Sequence, residues 1–391
     1  MYYFDYAATY PLTLNYVLMR ILMELSEKLE MFGNPSSSHE LGFKSAQILE
    51  KSREIIGNHL DCSPKEIIFT SGGTESDNMA LKGVMLKYKP EEAELITSTI
   101  EHPAILNTCK QLERLGYTIK YVKPNIEGIV DAKDIEKEIT DKTKLISVMV
   151  VNNEIGTIQP IYQIAKIAHK NNILFHTDAV QSIGCVDLFL SEVDMASFSG
   201  HKFGSLKGTG ILYKKEDIEL EPLICGGGQE NNIRSGTENV LGNWIMAKAL
   251  DEYYIKTKTK ERDESISISN RMITMKNDFI SELEKEFGDN IMINSYHGSP
   301  NIINVAFKDI DGDTLQLLLS NKGFIVSTGS ACHSGSSEPS YVLQEIGVPK
   351  EYLKGEIRIS LSPDTNRNDL FKLLKEIIFH AKYLMNKTKG E

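Results

Sequence analysis

Four short segments place reactive side chains directly after apolar runs. Ser71-Gly72-Gly73-Thr74-Glu75-Ser76 follows Ile67-Ile68-Phe69-Thr70, and Asn152-Asn153-Glu154-Ile155-Gly156 follows the run from Leu145 to Val151. Thr177 and Asp178 follow Ile173 to His176, with Gln181 three residues on. Ser199-Gly200-His201-Lys202-Phe203-Gly204 follows Asp194 to Phe198. The first segment suits an anion: glycines let the backbone approach closely, hydroxyls donate, and a helix start offers free N–H groups. It equally suits a glycine turn with an ordinary N-cap. Asp178 suits a cofactor cation, or it caps a helix. Lys202 by itself reads as a surface charge. Together, a phosphate cradle, a strand-end acid and a lysine are the set that pyridoxal phosphate requires. The lysine bonds the cofactor's aldehyde carbon, and the acid pairs its pyridinium nitrogen.

These segments meet only if the runs before them lie side by side. From about residue 60 to 215, short β-rich runs alternate with helix-like stretches such as Ile161 to Lys170. The runs are Ile67–Thr70, Glu94–Thr97, Leu145–Val151, Ile173–Thr177, Asp194–Ser199 and Gly210–Tyr213. Several are continuously apolar, which suits strands buried on both faces of a mainly parallel sheet. The alternation predicts an open α/β sheet with helices on both faces. Ligands in such sheets bind beyond the carboxyl ends of the strands, where all four segments lie. After Gly226-Gly227-Gly228 the pattern changes to a smaller α+β unit. Long charged helix is expected over 238–287 with a break near 265–269, then a strand at Ile302–Phe307 and a helix at Thr314–Asn321. A Gly/Ser-rich loop (327–338), a strand (Glu356–Leu361) and a last helix (Arg367–Met385) complete it. The first dozen residues are placed to add an edge strand.

Composition narrows the class. With 41% hydrophobic and 25% charged residues among 391, the chain is an ordinary globular one of two to three domains. A net charge of −11 argues against broad nonspecific contact with nucleic acid. No secretory signal and no run of about 18 apolar residues is visible, so a reducing, cytoplasmic setting without membrane contact is expected. The five cysteines, Cys62, Cys109, Cys185, Cys225 and Cys332, are widely spaced and suit neither a disulfide framework nor a zinc ribbon. No metal site is expected; His39, His59, His169, His297 and His380 read as surface or packing residues. Cys332 differs from the other cysteines. Its neighbours Thr328 to Ala331 and His333 to Ser336 are small and polar, which makes a loop presenting a thiol rather than a core. His333 is placed to lower the thiol pKa, or is simply solvated.

The order of these motifs, with Glu101-His102, Gly329-Ser330-Ala331-Cys332 and Arg358-Ile359-Ser360-Leu361, resembles the cysteine desulfurases. Phe4-Asp5-Tyr6-Ala7-Ala8-Thr9, Gly33-Asn34-Pro35-Ser36-Ser37 and Arg234-Ser235-Gly236-Thr237 are similar to further family segments. These are pyridoxal-phosphate enzymes of fold type I, in the class-V aminotransferase family. The stretch through Glu338-Pro339-Ser340-Tyr341-Val342-Leu343 resembles the long-loop branch that serves iron–sulfur assembly.

The resemblance implies a large cofactor domain over 15–255 and a small α+β domain from 1–14 and 256–391. It implies that Lys202 carries the cofactor and moves the Cα proton, and that His102 stacks on the ring. Asp178 and Gln181 would face the ring nitrogen and phenolic oxygen. Gly73, Thr74, Ser199 and His201 would bind phosphate, joined by Thr237 from the other subunit of a homodimer. Asn153, Arg358 and Asn34 would hold L-cysteine, and Cys332 would take its sulfur. Read alone, Arg358 is an exposed charge on a strand; with the resemblance, its planar fork fits a carboxylate. A sulfur-acceptor protein is implied, either an iron–sulfur scaffold or a tRNA-thiolation enzyme. Selenocysteine lyase, aminotransferase and non-catalytic partner subunit are the rival readings. Two departures stand out: Gly204-Ser205-Leu206-Lys207-Gly208, where the family more often has Tyr-Gly-Pro-Lys-Gly, and Asn231, where relatives often carry arginine.

Overall fold

The computed structural model describes residues 1–11, 23, 29–263, 268–296, 298–329 and 338–388. The chain opens with β1 (Tyr2–Tyr3), then α1 (Glu40–Leu60), β2 (Ile67–Thr70), α2 (Gly73–Met85) and β3 (Glu94–Ser98). Next come α3 (Pro103–Arg114), β4 (Thr118–Val122), α4 (Ala132–Glu138), β5 (Thr143–Ser147) and α5 (Ile161–Lys170). β6 (Leu174–Asp178), β7 (Met195–Ser199) and β8 (Gly210–Lys214) complete one sheet of seven strands. Its order is β2-β8-β7-β6-β5-β3-β4. Only β8 runs against its neighbours; β4, β3, β5, β6 and β7 pair in parallel.

The continuous apolar runs are explained by two cores, one on each face. Phe69, Ile96, Ile146, Phe175, Phe198 and Ile211 point to one face and pack with Ile56 of α1 and Ile164 of α5. Ile68, Leu95, Leu145, Met195 and Leu212, at the alternate positions of these strands, point to the other, against Met79 and Val84 of α2 and Ile105 of α3. Alternate residues face opposite ways, so a strand between two helical layers has no polar side to show. The seven-stranded order and the helices on both faces agree with the predicted fold class.

After α6 (Val240–Asp263) and α7 (Ile268–Phe287), the chain forms β9 (Ile291–Ile293), β10 (Ile302–Phe307), α8 (Gly312–Asn321), β11 (Phe324–Ile325), α9 (Tyr341–Glu345), α10 (Lys350–Leu353), β12 (Glu356–Ser360) and α11 (Arg367–Thr388). β12, β10 and β9 form an antiparallel sheet. Here the faces differ. Ile303, Val305, Ile357 and Ile359 pack under α7, α8 and α11. Asn304, Glu356, Arg358 and Ser360 point the other way, toward the large sheet. The N-terminus does join this unit: β1 pairs with β11, and Asp5 bridges to Ser360.

Three local expectations need correction. β4 is not marked in the sequence, because this edge strand is only partly buried. β9 is also unmarked and is just three residues long. The ladder of β5 stops at Ser147, four residues before the expected end. Val148 and Val150 still donate to His176 and Asp178 carbonyls, but the chain then leaves the ladder to wall a cavity. An apolar run cannot separate a strand from a buried wall.

Candidate active site

A cavity of about 260 Å³ lies beyond the carboxyl ends of β2, β5, β6 and β7. Gly73, Thr74, His102, Asn153, Asp178, Gln181, Ser199, His201, Lys202 and Arg358 all line it. Ten residues expected to act together therefore share one wall. Asn34 and Thr237 do not line it; both are exposed. Asn34 Oδ1 instead accepts from Ser36 N at 2.9 Å. Cys332 and His333 lie outside the described residues, as does His297.

Each side chain is set by the element before it. Gly73 opens α2, and Gly72 before it has φ of +152°. A Cβ on Gly73 would sit 2.6 Å from Val180, so only glycine lets the helix start come this close. Glu75 accepts from Ser71 N and from Arg234 Nε, both at 2.8 Å, which ties the 224–236 stretch to this turn. Asp178 ends β6, and Val180 N donates to its Oδ1 at 2.9 Å. Lys202 follows β7, and its Nζ donates to the carbonyls of Ala7 at 2.6 Å and Ala8 at 2.9 Å. Gln181 Nε2 donates to the same Ala7 carbonyl. The N-terminal segment thus closes one side of the cavity.

His102 caps α3, and its Nδ1 accepts from Ala104 N at 3.1 Å. That bond leaves the proton of the neutral ring on Nε2. Burial holds the His102 pKa below its ordinary value; Lys202 adds to this and Asp178 opposes it. His201, hydrogen-bonded to Thr9, is lowered to about 4 by burial and by Lys202 and Lys207. Burial raises the Asp178 carboxyl, while His102, Val180 N–H and Lys202 pull it back.

Asp77 was missed. It is buried four residues after Gly73, so it faces the same side of α2 as the helix start. Asp77, His102 and Asp178 each bring one atom within 4.8 Å of the others. Burial and the Asp178 charge push Asp77 well above the carboxylate range. Its Oδ1 has no hydrogen-bond partner among the described residues. Spacing of four from a glycine helix start was the available signal. Asp5 was also missed, and its partner is 353 residues away. Arg358 Nη2 donates to Asp5 Oδ1 at 3.0 Å and Nη1 donates to the Asn153 carbonyl at 2.7 Å. Arg358 is 2% exposed, not a surface charge. Its Nε and the Asn153 side-chain oxygen are buried and unpartnered among the described residues.

The cradle at Gly73, the strand-end Asp178 and the Lys202 amine surround one space, and orphaned donors and acceptors face it. That donor set fits pyridoxal phosphate. The fold and site define an α/β enzyme of the fold-type-I, pyridoxal-phosphate class. The family "Aminotransferase class-V" matches residues 2–373, and the chain belongs to it, in its cysteine desulfurase branch. Cysteine desulfurase IscS of Dictyoglomus turgidum is 44% identical over 373 residues, spanning 94% of this chain and 91% of that protein. A solved "NifS-like protein" superposes with a TM-score of 0.86 at 36% identity, covering 98% of this chain and 100% of its own. "SspA in complex with cysteine" superposes with a TM-score of 0.79 at 35% identity, covering 93% and 99%.

The departure at Asn231 has a backbone consequence. Glu230, Asn231 and Asn232 have φ of 48°, 57° and 66° in succession. Asparagine tolerates this left-handed region, and Glu230 is held in it by Arg53 and by Phe69 N–H. In the other departing stretch, Gly204 and Gly208 take φ of 91° and 83°, so its turns rest on glycine.

Proposed function

We propose that this chain is a cysteine desulfurase that converts L-cysteine to L-alanine and keeps the sulfur on Cys332 as a persulfide. The observation that supports it most is the single cavity shared by Lys202, Asp178 and the N-terminus of α2. When bound, pyridoxal phosphate supplies an electron-withdrawing ring that stabilises charge at the substrate Cα. Asp178 supports this by holding positive charge at the ring nitrogen. Gly73, Thr74, Ser199 and His201 bind the phosphate, with Thr237 of a second copy. Burial and the neighbouring Lys202 and Lys207 lower His201 to about 4, which favours its neutral, hydrogen-bonding form.

Arg358 and Asn153 hold the substrate carboxylate through the atoms left unpartnered, with Asn34 contributing from nearby. Lys202 Nζ takes the Cα proton, and neutral His102 exchanges protons through Nε2. Cys332 Sγ then attacks the substrate sulfur, and the substrate C–S bond breaks. The balance is Cys332–SH plus L-cysteine giving Cys332–S–SH plus L-alanine, with no external oxidant. The persulfide passes to an acceptor protein for iron–sulfur clusters or tRNA thiolation.

We divide the chain into a cofactor domain (15–255) and a small domain (1–14 with 256–391), working as a homodimer in the cytoplasm. The four described cysteines are unpaired, which suits a reducing compartment. No helix among the described residues is long and apolar enough to cross a membrane. The test is to incubate the purified holoenzyme with cysteine and no keto acid, quantify alanine and map persulfide by mass spectrometry. Alanine with persulfide at Cys332 is expected. Cys332→Ala should still bind cofactor and cysteine but form no persulfide; wild-type sulfide release by that variant would overturn the assignment.

A further inference from the structure

The strands that lead to Asp178 and Lys202 change character just before the cavity. On the sheet face that packs against α2, Leu145, Leu174 and Met195 are apolar, and two residues on from each come Ser147, His176 and Ser197. All three polar side chains are fully buried. Strand pairing sets Ser147 opposite His176. Asp178, on the same face of β6 as His176, is opposite Ser197. Buried polar groups are costly unless they are bonded, so each of these needs a partner.

Their bonds form a chain with one direction. Ser147 Oγ lies 2.9 Å from His176 Nδ1, and His176 Nε2 lies 2.9 Å from Ser197 Oγ. The Ser197 hydroxyl bonds the Asp77 carboxyl in turn. His176 Nε2 is 3.7 Å from Asp77 Oδ1, too far for a hydrogen bond, so the ring reaches Asp77 through Ser197. Ser197 has one proton to give. Donating it to Asp77, the hydroxyl accepts from His176 Nε2–H, and Nδ1 accepts from Ser147. Burial lowers His176 to about 3, which favours the singly protonated ring that this pattern needs.

Asp77 Oδ1 has no hydrogen-bond partner among the described residues, so the Ser197 bond falls on the other oxygen. Asp77 and Asp178 share the cavity wall and bring one atom each within 4.8 Å. Two carboxyls this close in a buried site do not readily both ionise. Val180 N–H, His102 and Lys202 favour the charge on Asp178, which leaves the proton to Asp77.

We infer that Asp77 is a positioning residue for Asp178, a hydrogen-bond donor through Oδ1 that the chain Ser147–His176–Ser197 holds in one orientation. A donor beside Asp178 favours its charged form, the form that pairs a positive ring nitrogen. This rests on the reading of Asp178 as the cofactor's partner. The titratable groups around the two carboxyls are His102, Lys202, Glu101 and His176, and the variants below retain all four.

The experiment follows the holoenzyme's cofactor absorbance against pH, alongside kcat, KM for cysteine and melting temperature. A less positive ring nitrogen lets the nitrogen of Lys202 keep its proton to higher pH. Asp77→Ala should therefore raise the midpoint of the absorbance change by about one pH unit and lower kcat about 30-fold, with KM within about threefold. Asp77→Asn keeps an N–H donor and should bring the midpoint back to within about 0.3 unit and kcat to within about fivefold. Ser197→Ala cuts the last link of the chain and should move both readouts the same way by less, while Ser197→Thr keeps the hydroxyl and should restore them. That second pair decides if Asp77→Ala does not fold. An unmoved midpoint in the alanine variants overturns the inference, even where kcat or melting temperature falls. So does an equal shift in Asp77→Asn and Asp77→Ala. Asp178→Asn runs alongside: a wild-type midpoint and rate there refute the underlying reading, whereas an impaired Asp178→Asn beside an unaffected Asp77→Ala refutes only the positioning role.

Discussion

Two buried carboxyl pairs flank the cavity, and they are completed differently. Asp77 and Asp178 lie on the sheet side, near His102 and Lys202. Asp178 has one backbone donor, and an oxygen of Asp77 has no hydrogen-bond partner among the described residues. Glu154 and Glu356 lie between the two sheets and receive bonds from Ser340, Gly329 N and Asn304. A buried polar atom without a partner costs roughly 1–3 kcal/mol. A protein tolerates that where a ligand supplies the missing bond, and otherwise fills the site itself. The first pair is built for something that arrives; the second is built to hold the chain.

Isosteric amides test that contrast most strongly. Asp178→Asn removes the charge that keeps the cofactor nitrogen positive, and alanine formation should fall on the order of 100- to 1,000-fold. Its melting temperature should not fall, since a buried acid has been removed. The matched Glu356→Gln exchange should cost only a few-fold in the same alanine assay. Equal losses from the two exchanges would erase the distinction. A smaller effect sharpens it. Burial and the Asp178 charge push the Asp77 carboxyl up, toward its neutral form, and Asn copies the shape and charge of that form. Asp77→Asn should therefore lower alanine formation by less than about tenfold at pH 7. A loss as large as that of Asp178→Asn would mean that Asp77 works ionised.

The same contrast governs what the sequence could reveal. Asp178, Lys202, Ser199 and Gly73 were legible because each directly follows an apolar run, and parallel strands bring such ends to one edge. Glu356 and Arg358 sit in the alternating stretch Glu-Ile-Arg-Ile-Ser, which marks a two-faced strand but not what its polar face meets. Arg358 thus read as exposed although it is buried against a residue 353 positions away. No local pattern carries such a contact. Asp77 was obscured differently: an acid on an early turn of a helix usually complements the dipole and faces water. β4 fell below notice because a half-buried edge has neither a continuous run nor strict alternation.

The smallest effect concerns stability against pH, and it asks whether the second pair holds its proton. Burial and Glu356 raise Glu154 to about 8 in the fold, with Ser340 and Arg358 pulling the other way. An unfolded glutamate titrates near 4.3. The folded chain therefore keeps a proton that the unfolded chain gives up. That contribution to stability is complete below about pH 4 and is lost as pH rises toward 8. Glu154→Gln carries no such proton, so its melting temperature should drop less than the wild type's between pH 5.5 and 8.5, by about 2–4 °C. Glu101, also raised to about 8, remains in both chains and cancels from the comparison. His176, lowered to about 3 by burial, changes stability only on the acid side, because its contribution fades as pH falls below 6.5. Parallel melting curves for the two chains would show that Glu154 holds no extra proton in the fold, against the direction in which burial and Glu356 push it.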